Sequence, residues 1–375
     1  MEELNFYMPT KVIMGEDCVT KQAALLKEYG ARALIVTGTN SARMNGALQD
    51  VEEALQSQGI QYDLFDRIMA NPTVACVYEG AAYAKEKNSD FIIGIGGGSP
   101  MDGAKAIALL AVQDIAEEEI FLGKFVSEAL PLVLIPTTAG TGSEVTPYSI
   151  LTNTAGQTKT SISSPAIFPK LALLDAKYMR ELSVKITINT GIDALSHAIE
   201  GMLSVKATRV SDGIAMQSIQ EIVPCLSALS PDNHKPATEI AIQIREKLLY
   251  GSMLAGVVIS HTGTTAVHSM GYSLTYFKNI DHGRANGLLL PSFLRFIMKH
   301  DAALIKQILS AMAFSSLDDL EALFLRLLGE REQITGQDIE KFAGIAIKAK
   351  NILNSKIKPE KEDLIRMYER SLNVI

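Results

Sequence analysis

The chain has few of the residues that mark several whole classes of protein. Among 375 residues there are three cysteines, Cys18, Cys76 and Cys225, odd in number and far apart. That spacing fits no disulfide framework and no zinc knuckle, and the thiols read as reduced, in a cytoplasmic protein. No apolar run reaches the roughly 18–20 residues of a membrane-spanning helix. The opening Met1-Glu2-Glu3-Leu4-Asn5 is acidic and lacks the basic stretch of a secretory signal. Basic residues are in deficit: 35 Lys and Arg stand against 42 Asp and Glu, a net charge of -7. That balance argues against nucleic acid or an anionic membrane as partner. Tryptophan is absent, which bears on no function. There is no tandem repeat and no low-complexity linker.

What is present fits an ordinary globular enzyme, 47% hydrophobic and 21% charged. The length suits two domains. Short apolar or alternating runs at 33–37, 61–65, 91–95, 132–135 and 171–174 read as strands. Helical patterns lie between them, at 20–29, 46–58 and 73–87. Strands alternating with helices predict a mainly parallel, helix-covered sheet. From about Leu182 the character changes, with helical periodicity at 193–203, 211–222, 238–258 and 318–328. The expected organisation is an α/β domain over 1–180 and an all-helical domain over 181–375. Ser230-Pro231-Asp232-Asn233-His234-Lys235-Pro236 reads as a surface loop.

Two glycine-rich loops follow predicted strands. Gly94-Ile95-Gly96-Gly97-Gly98-Ser99-Pro100-Met101-Asp102 ends a strand and opens a helix, with Ser99 suited to the N-cap and Pro100 to the first helical position. Glycines admit a phosphate close to the backbone, and the helix N-terminus supplies free N–H groups. The loop matches neither G-x-G-x-x-G, since Ser99 takes the last glycine position, nor Walker A, since Ala104 separates Gly103 from Lys105. The second loop is Pro136-Thr137-Thr138-Ala139-Gly140-Thr141-Gly142-Ser143-Glu144-Val145-Thr146. Its hydroxyls and glycines suit a pyrophosphate, a ribose or a nicotinamide amide. Either loop alone also fits a plain turn; together, at the ends of neighbouring strands, they point to a dinucleotide.

The second half carries four candidate metal ligands. Asp193 and His197 are spaced i,i+4 and share one helix face. His268 reads as helical, and His282, before Gly283, as a loop ligand. One carboxylate and three imidazoles can close most of a shell around Fe2+ or Zn2+, and ligand type does not choose between them. His234 and His300 read as ordinary core or surface residues. His261, seven residues before His268, is a candidate for the same helix face. Tyr272, four residues after His268, either packs or meets substrate. A metal and a dinucleotide in one protein suggest hydride transfer to or from a polarised carbonyl.

These pieces, in this order, resemble the iron-containing, or group III, alcohol dehydrogenases along essentially the whole chain. The matching segments are Phe6-Tyr7-Met8-Pro9-Thr10, Asn71-Pro72-Thr73, the Gly96–Asp102 and Pro136–Thr146 loops, Gly191 to Gly201 around Asp193 and His197, and His282-Gly283 with Leu288-Leu289-Leu290-Pro291. The resemblance implies a dinucleotide-binding domain, a helical domain and an active site in the cleft between them. It implies Fe2+ on Asp193, His197, His268 and His282, and pyrophosphate on Gly97, Gly98 and Ser99. Asn71, Asp102, Thr137, Thr138 and Ser143 would line the rest of the cofactor site, with Lys159 near it. It also implies a homodimer and a small alcohol, diol or aldehyde as substrate. Many members have a histidine where this chain has Tyr272, which puts any proton relay there in doubt.

Members that use NAD often carry Asp where this chain has Gly38. Here Gly38 leaves room, Thr39, Asn40 and Ser41 can donate hydrogen bonds, and Arg43 brings a positive charge, so NADP(H) is expected over NAD(H). Competing readings are a zinc-dependent polyol dehydrogenase, a dehydroquinate-synthase-like lyase and a catalytically silent nucleotide-binding protein. The lyase needs a basic cluster for a phosphorylated substrate, and none lies beside the ligands. The silent protein should have lost ligands or loop glycines, and all are retained.

Overall fold

The structure is a computed structural model that describes residues 4–229 and 237–375. The 230–236 loop expectation, with His234, lies outside the described residues. Strands β1 (Lys11–Met14), β2 (Arg32–Thr37), β3 (Gln61–Phe65), β4 (Phe91–Gly96), β5 (Leu132–Pro136) and β8 (Leu171–Leu174) form one sheet in the order β1-β8-β5-β4-β2-β3, and every pairing in it is parallel. Between β5 and β8 an antiparallel hairpin is made by β6 (Tyr148–Asn153) and β7 (Thr158–Ser163). The helices of this half are α1 (Cys18–Lys21), α2 (Ser41–Met44), α3 (Ala47–Ser57), α4 (Val74–Glu86) and α5 (Gly98–Leu110).

Strand periodicity sorts the core. In β2, Ala33 and Ile35 join one buried cluster with Val19 of α1 and Leu48, Val51 and Leu55 of α3. Leu34 and Val36 join the opposite cluster, with Val77 of α4 and Met101 and Ile107 of α5. Both faces are covered, which is why these strands read as continuous apolar runs. The half-exposed β1 and the polar hairpin carry no such run, and neither stood out in the sequence. The predicted 20–29 helix is instead α1 followed by a 3-10 segment, Ala23–Glu28.

The other half is built from α6 (Val184–Met202), α7 (Arg209–Leu229), α8 (Ile242–Thr262), α9 (Ala266–Lys278), α10 (His282–Met298), α11 (Ala302–Ala311), α12 (Leu317–Leu328), α13 (Gly336–Ala346) and α14 (Lys361–Ser371). It is not wholly helical: β9 (Gln333–Ile334) and β10 (Asn373–Val374) make a two-residue parallel pair. Helix α6 opens at Ser183, whose hydroxyl accepts from the Ile186 N–H, and is buried along most of its 19 residues. Its neighbours α7, α8 and α10 pack around it in one large core. No described helix is long and apolar enough to cross a membrane.

Two glycine contacts bring the halves and the helices together. Gly142 has φ 59°, and a Cβ there would lie 2.4 Å from Cα of Gly256, so the loop after β5 docks backbone to backbone on α8. A Cβ on Gly283 would lie 1.8 Å from the Asn189 carbonyl, so only glycine lets the start of α10 approach α6.

Candidate active site

The sheet places the two glycine-rich loops. Chain order runs from β2 outward to β3, then returns to β4 on the other side, so the order reverses between β2 and β4. A crevice opens beyond the strand ends at such a reversal. Gly38 follows β2 there, and Gly97 begins the turn after β4. Helix α5 starts at Gly98 with Gly97 as its N-cap, two residues earlier than the sequence suggested. Ser99 is therefore not the cap; its Oγ accepts from the Asn71 N–H at 3.1 Å. Pro100 is tolerated in the third position because that N–H lacks an intrahelical partner anyway. Asn71 is held at φ 59°, and its carbonyl accepts from Thr152 Oγ1 at 2.9 Å. Thr138 faces Gly97, where an added Cβ would stand 3.1 Å from its Oγ1. Thr137 is buried, its N–H donating to the Gly96 carbonyl at 2.9 Å. Thr39 and Ser41 are exposed at the crevice rim.

Asp102 and Ser143 are brought together, and largely use each other. Ser143 Oγ donates to Asp102 Oδ1 at 2.6 Å, and the Ile150 N–H donates to Oδ2 at 3.1 Å. Beneath them lies Lys105, fully buried, donating to Ser143 Oγ at 2.8 Å, Thr146 Oγ1 at 3.1 Å and the Tyr148 carbonyl at 2.8 Å. Burial pulls its ammonium down to about 8, against the pull of Asp102 and Glu144. It is thus no phosphate lysine but an internal tie between α5, the second loop and the hairpin. The sequence reading passed over it, although a lysine in an otherwise apolar helix stretch is a signal.

Glu144 is buried in the same loop, and burial raises its carboxyl to about 7, against backbone hydrogen bonding and Lys105. A folded pKa above the ordinary 4.5 means the folded state holds the proton longer, so stability falls as pH rises from about 4.5 through 7. Glu144→Gln is expected to remove that decline. Thermal melts at pH 5 and pH 8 check it: the wild-type melting temperature should drop more than the variant's, and parallel curves would refute the assignment.

The second cluster is assembled from three helices. Asp193 comes from α6, His268 from α9 and His282 from the first position of α10, not from a loop. Their ligand atoms lie within 4.8 Å of one another. His268 Nε2 and His282 Nε2 stand 3.6 and 3.7 Å from Asp193 Oδ1. Atoms about 2.1 Å from a tetrahedral ion would be about 3.4 Å apart, so the spacing suits a transition metal. Asn286, one turn beyond His282, directs its amide nitrogen at all three, at 2.9 Å to Asp193 Oδ1, 3.2 Å to His268 Nε2 and 3.3 Å to His282 Nε2. Two N–H groups cannot satisfy three acceptors, and His282 Nδ1 is buried with no hydrogen-bond partner among the described residues. The donor set therefore fits a cation.

His197 lies beside this trio but is not one of its three members. Its ring stacks on His268 with centroids 4.6 Å apart, and its Nδ1 faces the Gly140 carbonyl at 3.3 Å, which leaves Nε2 as the lone-pair nitrogen. Burial would raise the Asp193 carboxyl, but His197, His282 and His268 hold it well below the ordinary range. Burial also lowers His197 and His282. His268 goes the other way: burial opposes its charge, yet Glu200 and Asp193 raise it. Glu200 is fully buried and accepts from His268 Nδ1. The sequence reading missed it, though Asp193, His197 and Glu200 follow i, i+4, i+7 on one face.

Tyr272 stacks on His282 at 5.4 Å between centroids and meets His268 edge-on at 6.3 Å. Burial, then the charges of Asp193 and Glu200, raise its phenol. Lys159 is carried on β7, which packs on α9. Burial lowers its ammonium to about 8, with the charges of Asp193 and Asp102 pulling the other way. His261 does not share a face with His268. Gly263, at φ 64°, ends α8 between them. Its ring instead stacks under Phe6 at 4.3 Å and accepts from the Tyr7 N–H at 3.1 Å. Arg43 pairs with Asp66 at 3.3 Å on the surface.

A parallel sheet with a dinucleotide crevice, facing a helical layer that gathers a carboxylate and imidazoles, defines a metal-dependent oxidoreductase. The family models for iron-containing alcohol dehydrogenase and its C-terminal part match residues 9–176 and 187–372. The NAD-dependent methanol dehydrogenase of Bacillus methanolicus is 31% identical, over 78% of this chain and 75% of that one. The 1,3-propanediol dehydrogenase of Klebsiella pneumoniae is 32% identical, over 78% and 73%. The crystal structure of an iron-containing alcohol dehydrogenase from Thermotoga maritima superposes with a TM-score of 0.89 at 38% identity, covering 98% and 99% of the two chains. The chain belongs to the iron-containing alcohol dehydrogenase family. It is an oxidoreductase of alcohols and aldehydes that uses iron and a nicotinamide cofactor.

Proposed function

We propose that this enzyme interconverts small primary alcohols or diols and their aldehydes, with NADP(H) preferred over NAD(H), and that Asp193, His197, His268 and His282 hold Fe2+. The observation that carries this reading is the convergence of Asp193 Oδ1, His268 Nε2 and His282 Nε2, with His197 stacked beside them. When bound, iron supplies Lewis acidity to the substrate oxygen and the nicotinamide gives or takes the hydride. The chain's part is to hold and align both. Gly97, Gly98 and Ser99 offer the N-terminus of α5 to the pyrophosphate. Thr137 and Thr138 line the path onward, and the Asp102–Ser143 pair, tied down by Lys105, fixes the shape of the second loop. Lys159 stands between the two clusters as a donor to cofactor or substrate. Tyr272, flat against His282, walls the substrate side and helps to exclude water. Domains over 1–180 and 181–375 fit the end of the sheet at Leu174 and the start of α6 at Val184.

NADP(H) preference rests on the strand end. Gly38 and its exposed neighbours Thr39 and Ser41 present no carboxylate to a 2′-phosphate. Among the described residues the Arg43 guanidinium is held by a surface pair with Asp66, worth little, so a phosphate can take it over. The test is kcat/KM for NADPH and NADH with one short aldehyde at fixed salt, using iron-loaded protein. NADPH is expected to win clearly, and Gly38→Asp should shift the ratio toward NADH. A wild-type preference for NADH would end this claim. In that variant the new Cβ would stand 3.2 Å from the Ile68 carbonyl, a contact the loop must give slightly to accept.

A homodimer is proposed on the exposed apolar residues Leu4, Phe6 and Tyr7, which precede the edge strand β1, and Met14 at its end. A monomer mass in sedimentation would remove it. Three unpaired thiols, Cys18, Cys76 and Cys225, support a cytoplasmic placement.

A further inference from the structure

Glu200 is the most completely enclosed carboxylate near the proposed metal site. It is 0% exposed, one helical turn beyond His197 on α6. Its Oε1 accepts from the Thr265 N–H at 2.8 Å and from Thr265 Oγ1 at 2.7 Å, with the His268 N–H farther off at 3.4 Å. Its Oε2 takes the remaining contact, to His268 Nδ1. We infer that Glu200 is a positioning residue that locks His268 in the Nδ1–H tautomer, so that Nε2 faces Asp193 and His282 as a lone pair. The inference rests on the ligand set proposed above.

The chemistry leaves little choice. An ionised carboxylate only accepts, so the ring nitrogen facing it must carry the proton. A neutral imidazole has one N–H, and the other nitrogen is then free to ligate. Carboxylates that hold a ligating histidine in this way fix ring orientation and tautomer together. With the opposite tautomer, an N–H would point at Asp193 Oδ1 from 3.6 Å and no lone pair would reach a metal.

Thr265 makes the amide substitution diagnostic. Its backbone N–H is a fixed donor, so in Glu200→Gln the amide oxygen must stay at the Oε1 position. The new NH2 is then turned onto His268 Nδ1. That nitrogen must become the acceptor, and the proton moves to Nε2. Size and shape are unchanged, yet the ligand nitrogen is blocked.

The test uses metal-free protein reloaded with Fe2+ alone under anaerobic conditions, in competition with a chelator. Glu200→Gln is expected to bind Fe2+ about 10–100-fold more weakly than wild type. His282→Ala is the control for the ligand set. Equal affinity of wild type and Glu200→Gln, with His282→Ala impaired, overturns the tautomer lock and leaves the ligand set standing. Equal affinity in all three overturns the ligand set itself. A second measurement does not use Glu200→Gln. In zinc-loaded wild type with 15N-labelled histidine, His268, assigned by its loss in His268→Asn, should carry its proton on Nδ1. A proton on Nε2 overturns the inference.

Discussion

Asp193→Ala should lose turnover by about three orders of magnitude or more and leave the purified protein well short of one metal per chain. A Lewis acid contributes several kcal/mol to the barrier, and about 1.36 kcal/mol is tenfold in rate. Asp193 is the carboxylate of the trio, buried, and its Oδ1 is the common neighbour of both histidine nitrogens at 3.6 and 3.7 Å. Removing it leaves three imidazoles with no carboxylate, and the Asn286 amide, which donates where a ligand must accept. Folding should survive, since alanine suits the middle of α6 better than aspartate does. Elemental analysis and kcat on the same preparation, with circular dichroism for the fold, decide the matter. Full metal content with normal turnover would take the cluster out of the mechanism.

Gly97→Val should weaken reduced-cofactor binding by roughly 100-fold or more, the worth of two charge-assisted hydrogen bonds, while changing the fold little. The position separates the two effects well. Gly97 has φ -77° and ψ -163°, which any residue adopts, so valine imposes no backbone strain. Its Cβ would meet Thr138 Oγ1 at 3.1 Å and Cγ2 at 3.3 Å, contacts the Thr138 side chain relieves by shifting a few tenths of an ångström. The added methyls then stand at the mouth of α5, where a pyrophosphate must reach backbone N–H groups. Gly98 would be a poorer probe, because its Cβ would lie 2.6 Å from Thr141 Cγ2 and disturb the second loop directly. Fluorescence titration with reduced cofactor gives the dissociation constant. An unchanged value in a folded variant would assign the loop another task.

The four inner strands β2, β4, β5 and β8 were legible because each is an apolar run buried on both faces, a pattern that needs no partner to be seen, and the edge strand β3 was legible from its alternating polar and apolar residues. The edge strand β1 and the polar hairpin β6–β7 were not, because their pairing depends on neighbours rather than on their own hydrophobicity. Helix boundaries near Gly97 and His282 moved by a residue or two for the same reason. The Asp193 and His197 pair could be placed on one face from spacing alone, and Glu200 with them, since helical periodicity is a local property.

The sequence by itself determined the inner strands and the main helices, which donor types exist, and that a glycine-rich strand end opens a helix. Tertiary structure decided which donors meet. His268 and His282 reach Asp193 only because α9 and α10 pack on α6, and Gly283 permits an approach that any side chain would block. It also separated His261 from His268 through the break at Gly263, and turned Asp102 and Ser143 toward each other over Lys105. Pairings between distant helices are set by packing distances across the core, and no local pattern in the chain encodes those distances.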